Sequence, residues 1–466
     1  MTGNIKAFCV SALFLGLSAC LGSTEGISPP GDELIFPVAI ATVNGDSHLL
    51  VVNSNFDLRY NAGTLVAFDL SLLDGTGEWD PQTGILTLPA GVSLDAFCDD
   101  VTSDTCTVDE AGGIDAAETI RLGAYASDLD VTPAGDRALI PVRGEQTIIM
   151  VDLLADGDLM DCGEGDDRMC DAAHRIAQDG SVSLPIEPYS VRTMDYVREE
   201  GGATVTETLG FVTHRAGGEV SLFSVARRVG DGPTVFENRL IKVIGGVVEG
   251  AAGIAVNPLS RDIYISGQRD PTPHVAVLRV ETDLDAGGSY LLDPWFSQAA
   301  TISIASQLYG GTDARRMAVS PDGTTGFILV QSPPSLLKVD LTRYEMTDMV
   351  TVCPETSQVK LFADEGDPAD ELDDRLYAFV SCFLTRQVYV IDTHLMTTVI
   401  RRTGEGPQDI AFDRTRQIAY VANFSESTIS LMQAVPPFNQ VRVRTSAEPD
   451  DLRILRIGEP QLPKGY

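Results

Sequence analysis

Apolar and polar positions alternate along the chain in short blocks, and residues 407–434 show the unit most clearly. Ile410, Ala411 and Phe412 make a brief apolar run, residues 413–416 a polar turn, and residues 418–423 a β-branched and aromatic run. A second turn at 425–427 leads into Thr428, Ile429, Ser430 and Leu431, which alternate with a period of two. Runs of this length bounded by turn residues predict the strands of a meander, because period-two alternation puts one set of side chains on each sheet face. The same unit recurs at residues 129–152, 254–278 and 317–340.

Traced from end to end, the unit occurs about seven times, starting near residues 35, 128, 188, 252, 316, 359 and 407. A candidate fourth strand lies between copies, as at 118–122 and 397–401. Helix-period segments are scarce. The pattern predicts an all-β fold: a seven-bladed β-propeller of four-stranded antiparallel blades, with long inter-strand inserts at 71–117, 154–187 and 281–313. A single blade cannot bury both of its faces, and an open array would leave two end faces bare, so a closed ring is expected. Residues 34–40 would start the first blade, and residues 452–457 would supply the outer edge of the last.

Met317, Ala318, Val319, Ser320, Pro321, Asp322 and Gly323, followed by an apolar strand and then Val339-Asp340, resemble the YVTN-type repeats of YncE-like seven-bladed propellers. Residues 129–142 and 410–423 carry the same resemblance, which covers most of 35–433. It implies the fold. Relatives of this kind include periplasmic and cell-surface binding proteins, lactonases and the propeller parts of redox enzymes, so it implies no single activity, and no catalytic residue carries over.

The N-terminus supplies an address. Residues 1–6 carry one positive charge, and 7–17 are apolar but too short to span a bilayer. Leu17, Ser18, Ala19 and Cys20 look like a bacterial lipobox, with Cys20 the lipidated residue. The expected division is a signal peptide at 1–19, a lipidated cysteine and flexible tether at 20–34, and a single propeller domain at 35–460. Leu21 follows the cysteine where lipoproteins retained in the inner membrane often carry Asp, so the outer membrane is the expected location, facing the periplasm or the cell surface. The membrane partner would be reached through acyl chains, each buried methylene adding about 0.8 kcal/mol.

A formal net charge of −34 excludes nucleic acid as a natural partner, since a phosphate backbone would be repelled. Six cysteines remain after Cys9 and Cys20, and six allow fifteen pairings. Closeness in sequence makes Cys98–Cys106 and Cys162–Cys170 the least costly loops to close, which leaves Cys353–Cys382. No C-x-x-C spacing is present, so zinc and c-type haem have no support.

Candidate chemistry is sparse. His48, His174, His214, His274 and His394 fall in different copies and read as polar surface or turn residues. There is no G-x-S-x-G elbow and no glycine-rich phosphate loop. Acidic inserts at 95–104 and 156–167 carry oxygen ligands of the kind Ca²⁺ takes but miss the EF-hand pattern, and they read first as solvated loops; no other cofactor is expected. Aligned repeats place Asp128, Ser190, Gly253, Arg316 and Asp409 at one equivalent position, preceded by Ser127, Tyr189, Arg315 and Gln408. These would line one mouth of the channel, either holding a small polar ligand or a peptide, or closing the channel with salt bridges. The expected function is non-enzymatic binding of a protein, peptide or glycan at the cell envelope. The alternative is a lactonase-like hydrolase with a divalent metal at the channel mouth.

Overall fold

A computed structural model describes residues 26–31, 33–70, 73, 77–98, 100–102, 104–108, 116–154, 159–163, 165, 169–176, 178–179, 182–268, 274–281, 294–304, 313–364 and 375–458. The chain forms a β-propeller of antiparallel blades. The first blade runs outward through Pro37–Val43, His48–Asn53, Gly63–Asp69 and Ala116–Leu122. Later sheets begin at the innermost strands Asp130–Val131, Pro188–Glu200, Ala251–Asn257, Ala314–Val319, Thr356–Asp364 and Pro407–Asp413. The second is irregular: Met160–Asp161 and Arg175–Ile176 both pair with Thr147–Leu153.

Middle strands are apolar throughout because neighbouring blades cover both of their faces. All positions of Ile418–Asn423 and Thr428–Gln433 are buried, whereas the outer strand Glu345–Thr351 has no buried position. An apolar cluster fills each gap between consecutive sheets. Another joins Ile40, Leu49 and Val51 of the first sheet to Ile418, Tyr420 and Ile429 of the last, and so closes the ring. Inner strands approach closely: a Cβ on Gly253 would lie 2.4 Å from the Arg315 carbonyl oxygen.

The closure differs from the sequence expectation. Arg453–Ile457 does pair with Thr428–Gln433, but it is not an outer edge. It also pairs with Arg442–Thr445 and, in parallel, with Thr105–Val108; Arg442–Thr445 in turn pairs in parallel with Ile85–Leu88. Described strands of the 71–117 insert, Ile85–Leu88 and Thr105–Val108, are therefore a clasp from the first blade onto the last. Leu86, Leu88, Cys106 and Val108 are buried against Val443, Leu455 and Ile457. The hairpin Pro188–Glu200 and Ala203–His214 is long, turning at Gly201 and Gly202, both at positive φ.

All three expected disulfides are present: Cys98–Cys106 in the clasp, Cys162–Cys170 at the margin of the second sheet, and Cys353–Cys382 at the sixth. The signal segment and Cys20 lie outside the described residues, as do parts of both acidic inserts. Among the described residues no helix is long and apolar enough to cross a membrane.

Candidate functional site at one channel mouth

Each innermost strand starts beside the end of the second strand of its own blade, as Pro37 with Asn53 and Pro407 with Asn423 show. One face of the ring is therefore built from strand starts and second-strand ends. At this mouth the pairing slips in the same place in six blades: at Pro37/Ala39, Pro188/Val191, Ala251/Gly253, Ala314/Arg316, Thr356/Gln358 and Pro407/Asp409. A bulge leaves its extra residue unpaired and turns it out of the ladder. Tyr189, Arg315, Ser357 and Gln408 occupy these slips and line a cleft of about 280 Å³.

The other sequence-picked residues sit beneath the cleft, except that Arg316 also reaches its lining. Asp128, Ser190, Arg316 and Asp409 are all buried. Asp128 Oδ2 accepts from the Val191 backbone N–H at 3.2 Å, and Asp409 Oδ2 from the Ile40 N–H at 3.1 Å, so each carboxylate latches its blade to the next. Ser127 Oγ donates to the Tyr189 carbonyl at 2.7 Å, and Ser357 Oγ to the Pro407 carbonyl at 2.7 Å, which repeats a second latch. Arg316 donates to Ser190 Oγ and to the Ala252 carbonyl, reaching two other blades.

Arg192 and Lys360, absent from the sequence-picked set, complete this layer. Arg192 Nη1 stands 3.1 Å from Asp128 Oδ2, and Lys360 Nζ 3.7 Å from Asp409 Oδ1. Burial pushes the Asp128 carboxyl upward, but Arg192, Arg316 and Lys360 outweigh it and hold it below the usual range. Asp130 is raised because burial wins over the nearby Arg192. Burial works against the Arg192 guanidinium, yet Asp128, Asp130 and Asp409 raise its pKa further. The channel floor is a neutralised plug of opposite charges.

Above the plug the chemistry changes sign. Arg215, Arg315 and Arg316 line the cleft against one acid, Glu355. Arg315 is balanced, with Asp313 Oδ2 at 3.0 Å and Glu355 Oε2 at 3.0 Å. Burial raises the Asp313 carboxyl despite Arg315. Arg143 is paired with Glu187 at 3.1 Å. The Tyr189 ring stands among guanidiniums: Arg316 at 5.1 Å, Arg215 at 5.3 Å and Arg143 at 5.8 Å from its centroid. Nε of Arg215 is buried without an acceptor.

Arg215 and Phe383 escaped the sequence reading because they follow second strands, which the alignment of strand starts did not cover. The same position holds Phe424 in the last blade. Phe383 and Phe424 lie 6.0 Å apart, and Phe424 continues to Phe36 at 5.1 Å and Phe56 at 5.6 Å. Tyr125 ends this aromatic arc, 6.2 Å from Phe56.

The histidines do not converge here. His214 corrects the expectation of surface residues: it is fully buried, with Nε2 2.7 Å from Ser221 Oγ, and burial lowers its pKa to about 4. Among the described residues no group of His, Cys, Asp or Glu is arranged to hold a metal ion.

No protein-family model matches the chain, and a search of curated proteins finds no match. Similar solved structures include hydrazine synthase of Kuenenia stuttgartiensis, 10% identical, covering 88% of this chain and 99% of that one at a TM-score of 0.49. A periplasmic gluconolactonase of Pseudomonas aeruginosa is 14% identical, covering 80% and 87% at a TM-score of 0.45. A protein from Lactobacillus plantarum is 11% identical, covering 80% and 86% at a TM-score of 0.45. The propeller assignment rests on the blade pairing described above.

Proposed function

We propose that the chain is a lipid-anchored, YVTN-type propeller of seven blades in the bacterial cell envelope, which binds a partner at the channel mouth without turning it over. Seven innermost strands in chain order, with an apolar cluster between each sheet and the next and between last and first, support the blade count. The lipobox at Cys20 and the three disulfides support an exported, anchored chain.

One observation carries the choice of binding over hydrolysis. A metal-dependent hydrolase needs carboxylates free to take a dication, but Asp128 and Asp409 are spent on Arg192, Lys360 and backbone amides. Arg215, Arg315 and Arg316 crowd the opening and would repel the ion. A cleft with several donors suits a ligand, and its one described acid, Glu355, is paired with Arg315. The test is metal analysis of the purified protein with a lactone-hydrolysis screen. Substoichiometric metal and no turnover are expected. Lactone turnover that disappears in Glu355→Gln would replace this reading with the hydrolase.

A further inference from the structure

We infer that the mouth binds a peptide through a single carboxylate seated among Arg215, Arg316 and Tyr189, with the peptide's apolar side chains laid along the arc of Phe383, Phe424, Phe36 and Phe56. The inference rests on the mouth being the binding site and names what it binds.

Charge sets the first condition. Arg143 is balanced by Glu187, and Arg315 by Asp313 and Glu355. Arg316 feels Asp128 and Arg215 feels Asp313 only at longer range; among the described residues their direct contacts are a ring face, a hydroxyl and a carbonyl. Guanidiniums gathered round one ring repel each other, and an anion between them removes that cost. A carboxylate suits them because its two oxygens meet the fork of an arginine.

The rest of the molecule limits how much negative charge can enter. The chain carries −34 overall. Charges more than about 8 Å away are largely screened at physiological ionic strength. A lone carboxylate in the cleft is governed by the arginines around it, while a polyanion extends over the acidic surface and is repelled. This selects a single carboxylate and rejects nucleic acid and polyuronate chains.

The aromatic arc sets the second condition. Phe56 is 52% exposed, and Leu58 and Leu384, close in sequence to Phe56 and Phe383, are 54% and 64% exposed. The rings meet at 48° between Phe383 and Phe424, 74° between Phe56 and Phe424, and 87° between Phe56 and Tyr125. Two of these pairs are edge to face and the third is tilted, and rings so inclined offer apolar crevices rather than the flat platform on which a sugar stacks. The arc begins at Phe383, which also lines the cleft. An extended peptide of six residues spans roughly 20 Å, longer than the steps of 6.0 Å from Phe383 to Phe424 and 5.6 Å from Phe424 to Phe56. A cleft of about 280 Å³ takes the carboxylate and one side chain, and the remaining residues lie across the face.

The experiment is fluorescence anisotropy with labelled hexapeptides, five glycine, phenylalanine and leucine residues before a final leucine. One ends in a free carboxylate, one in an amide, and one in an amide with a glutamate before the last residue. A neutral maltohexaose, labelled likewise, is the fourth probe. The free acid should bind saturably and about ten-fold or more tightly than the plain amide, as a charge-assisted contact requires. Arg215→Gln should remove that difference, and the half-exposed Phe56→Ser should weaken the acid without touching the fold, checked by a thermal melt. A chain terminus as the source predicts tight binding of the free acid alone; an acidic side chain predicts that the glutamate peptide binds as well. Equal binding of acid and plain amide would overturn the inference. Maltohexaose bound in a manner lost in Tyr189→Ala, with no peptide bound, would overturn it and leave the mouth as a binding site. No probe bound by any variant would overturn both.

Discussion

Removing residues 442–466 takes only the last two strands, yet it should be as damaging as the loss of a whole blade. Val443, Leu455 and Ile457 leave with the segment, and Leu86, Leu88 and Val108 of the clasp lose the partners that bury them. At roughly 1.5–3 kcal/mol for each fully buried side chain, the set amounts to roughly 9–18 kcal/mol. A compact unfolded chain already buries part of that surface, which trims the sum by roughly 10–40%. What remains rivals the roughly 5–15 kcal/mol that holds a typical domain together. The truncated protein should be insoluble, or should melt far below the parent, with limited proteolysis cutting first within residues 71–117. The comparison is a thermal melt and a timed digest of both proteins under oxidising conditions. A soluble truncation that melts within a few degrees of the parent, with its insert still protected, would refute the clasp as the closure of the ring.

Replacing Cys98 and Cys106 together by serine should cost about 2.5 kcal/mol, the closure entropy expected for a separation of eight residues, and should make the clasp the first protease target; mass spectrometry of early fragments locates the cut. Cys20→Ala should release the protein from the membrane fraction or block its processing, read by fractionation and intact mass; an unchanged membrane partition of a processed variant would refute lipidation. Arg192→Met should destabilise the ring by about 3–5 kcal/mol, because Asp128 and Asp130 keep their burial and lose their main cation. Its pH dependence has a definite sign. In the parent, Asp128 titrates below its unfolded value, so its contribution is present above the usual carboxylate range and is lost as pH falls through the lowered folded value. Without Arg192 the Asp128 value moves up and that of Asp130, already raised in the parent, moves up further, so the variant should lose less stability on acidification than the parent does; melts across acidic to neutral pH decide it.

The repeat was legible because each blade must bury both faces of its middle strands, which writes runs such as Ile418 to Asn423 into the sequence. Tyr189, Arg315 and Gln408 were legible as neighbours because the repeat fixes their place in each blade. The bulges that expose them were not, since a bulge is a mismatch between two strands and neither strand alone records it. The clasp was hidden for a similar reason. Strands as short as Ile85–Leu88 gain their stability from a parallel partner more than three hundred residues away, and no local pattern encodes that register. Lys360 and Arg192 look like ordinary strand polar positions; only the ring brings them to Asp409 and Asp128.

Closure and binding share their residues at one joint. Asp409 latches the last blade to Ile40 of the first, and it sits next to Gln408, which faces the cleft. Phe424 of the last blade packs on Phe36, which opens the first blade, so the aromatic arc crosses the same joint. A ligand lying on the arc and in the cleft therefore touches both sides of the seam that the clasp holds from outside. Binding to the closed ring alone stabilises it by about 2.7 kcal/mol at a hundred-fold excess over Kd. The seam is then held from within by ligand and latch and from without by paired strands and the Cys98–Cys106 disulfide.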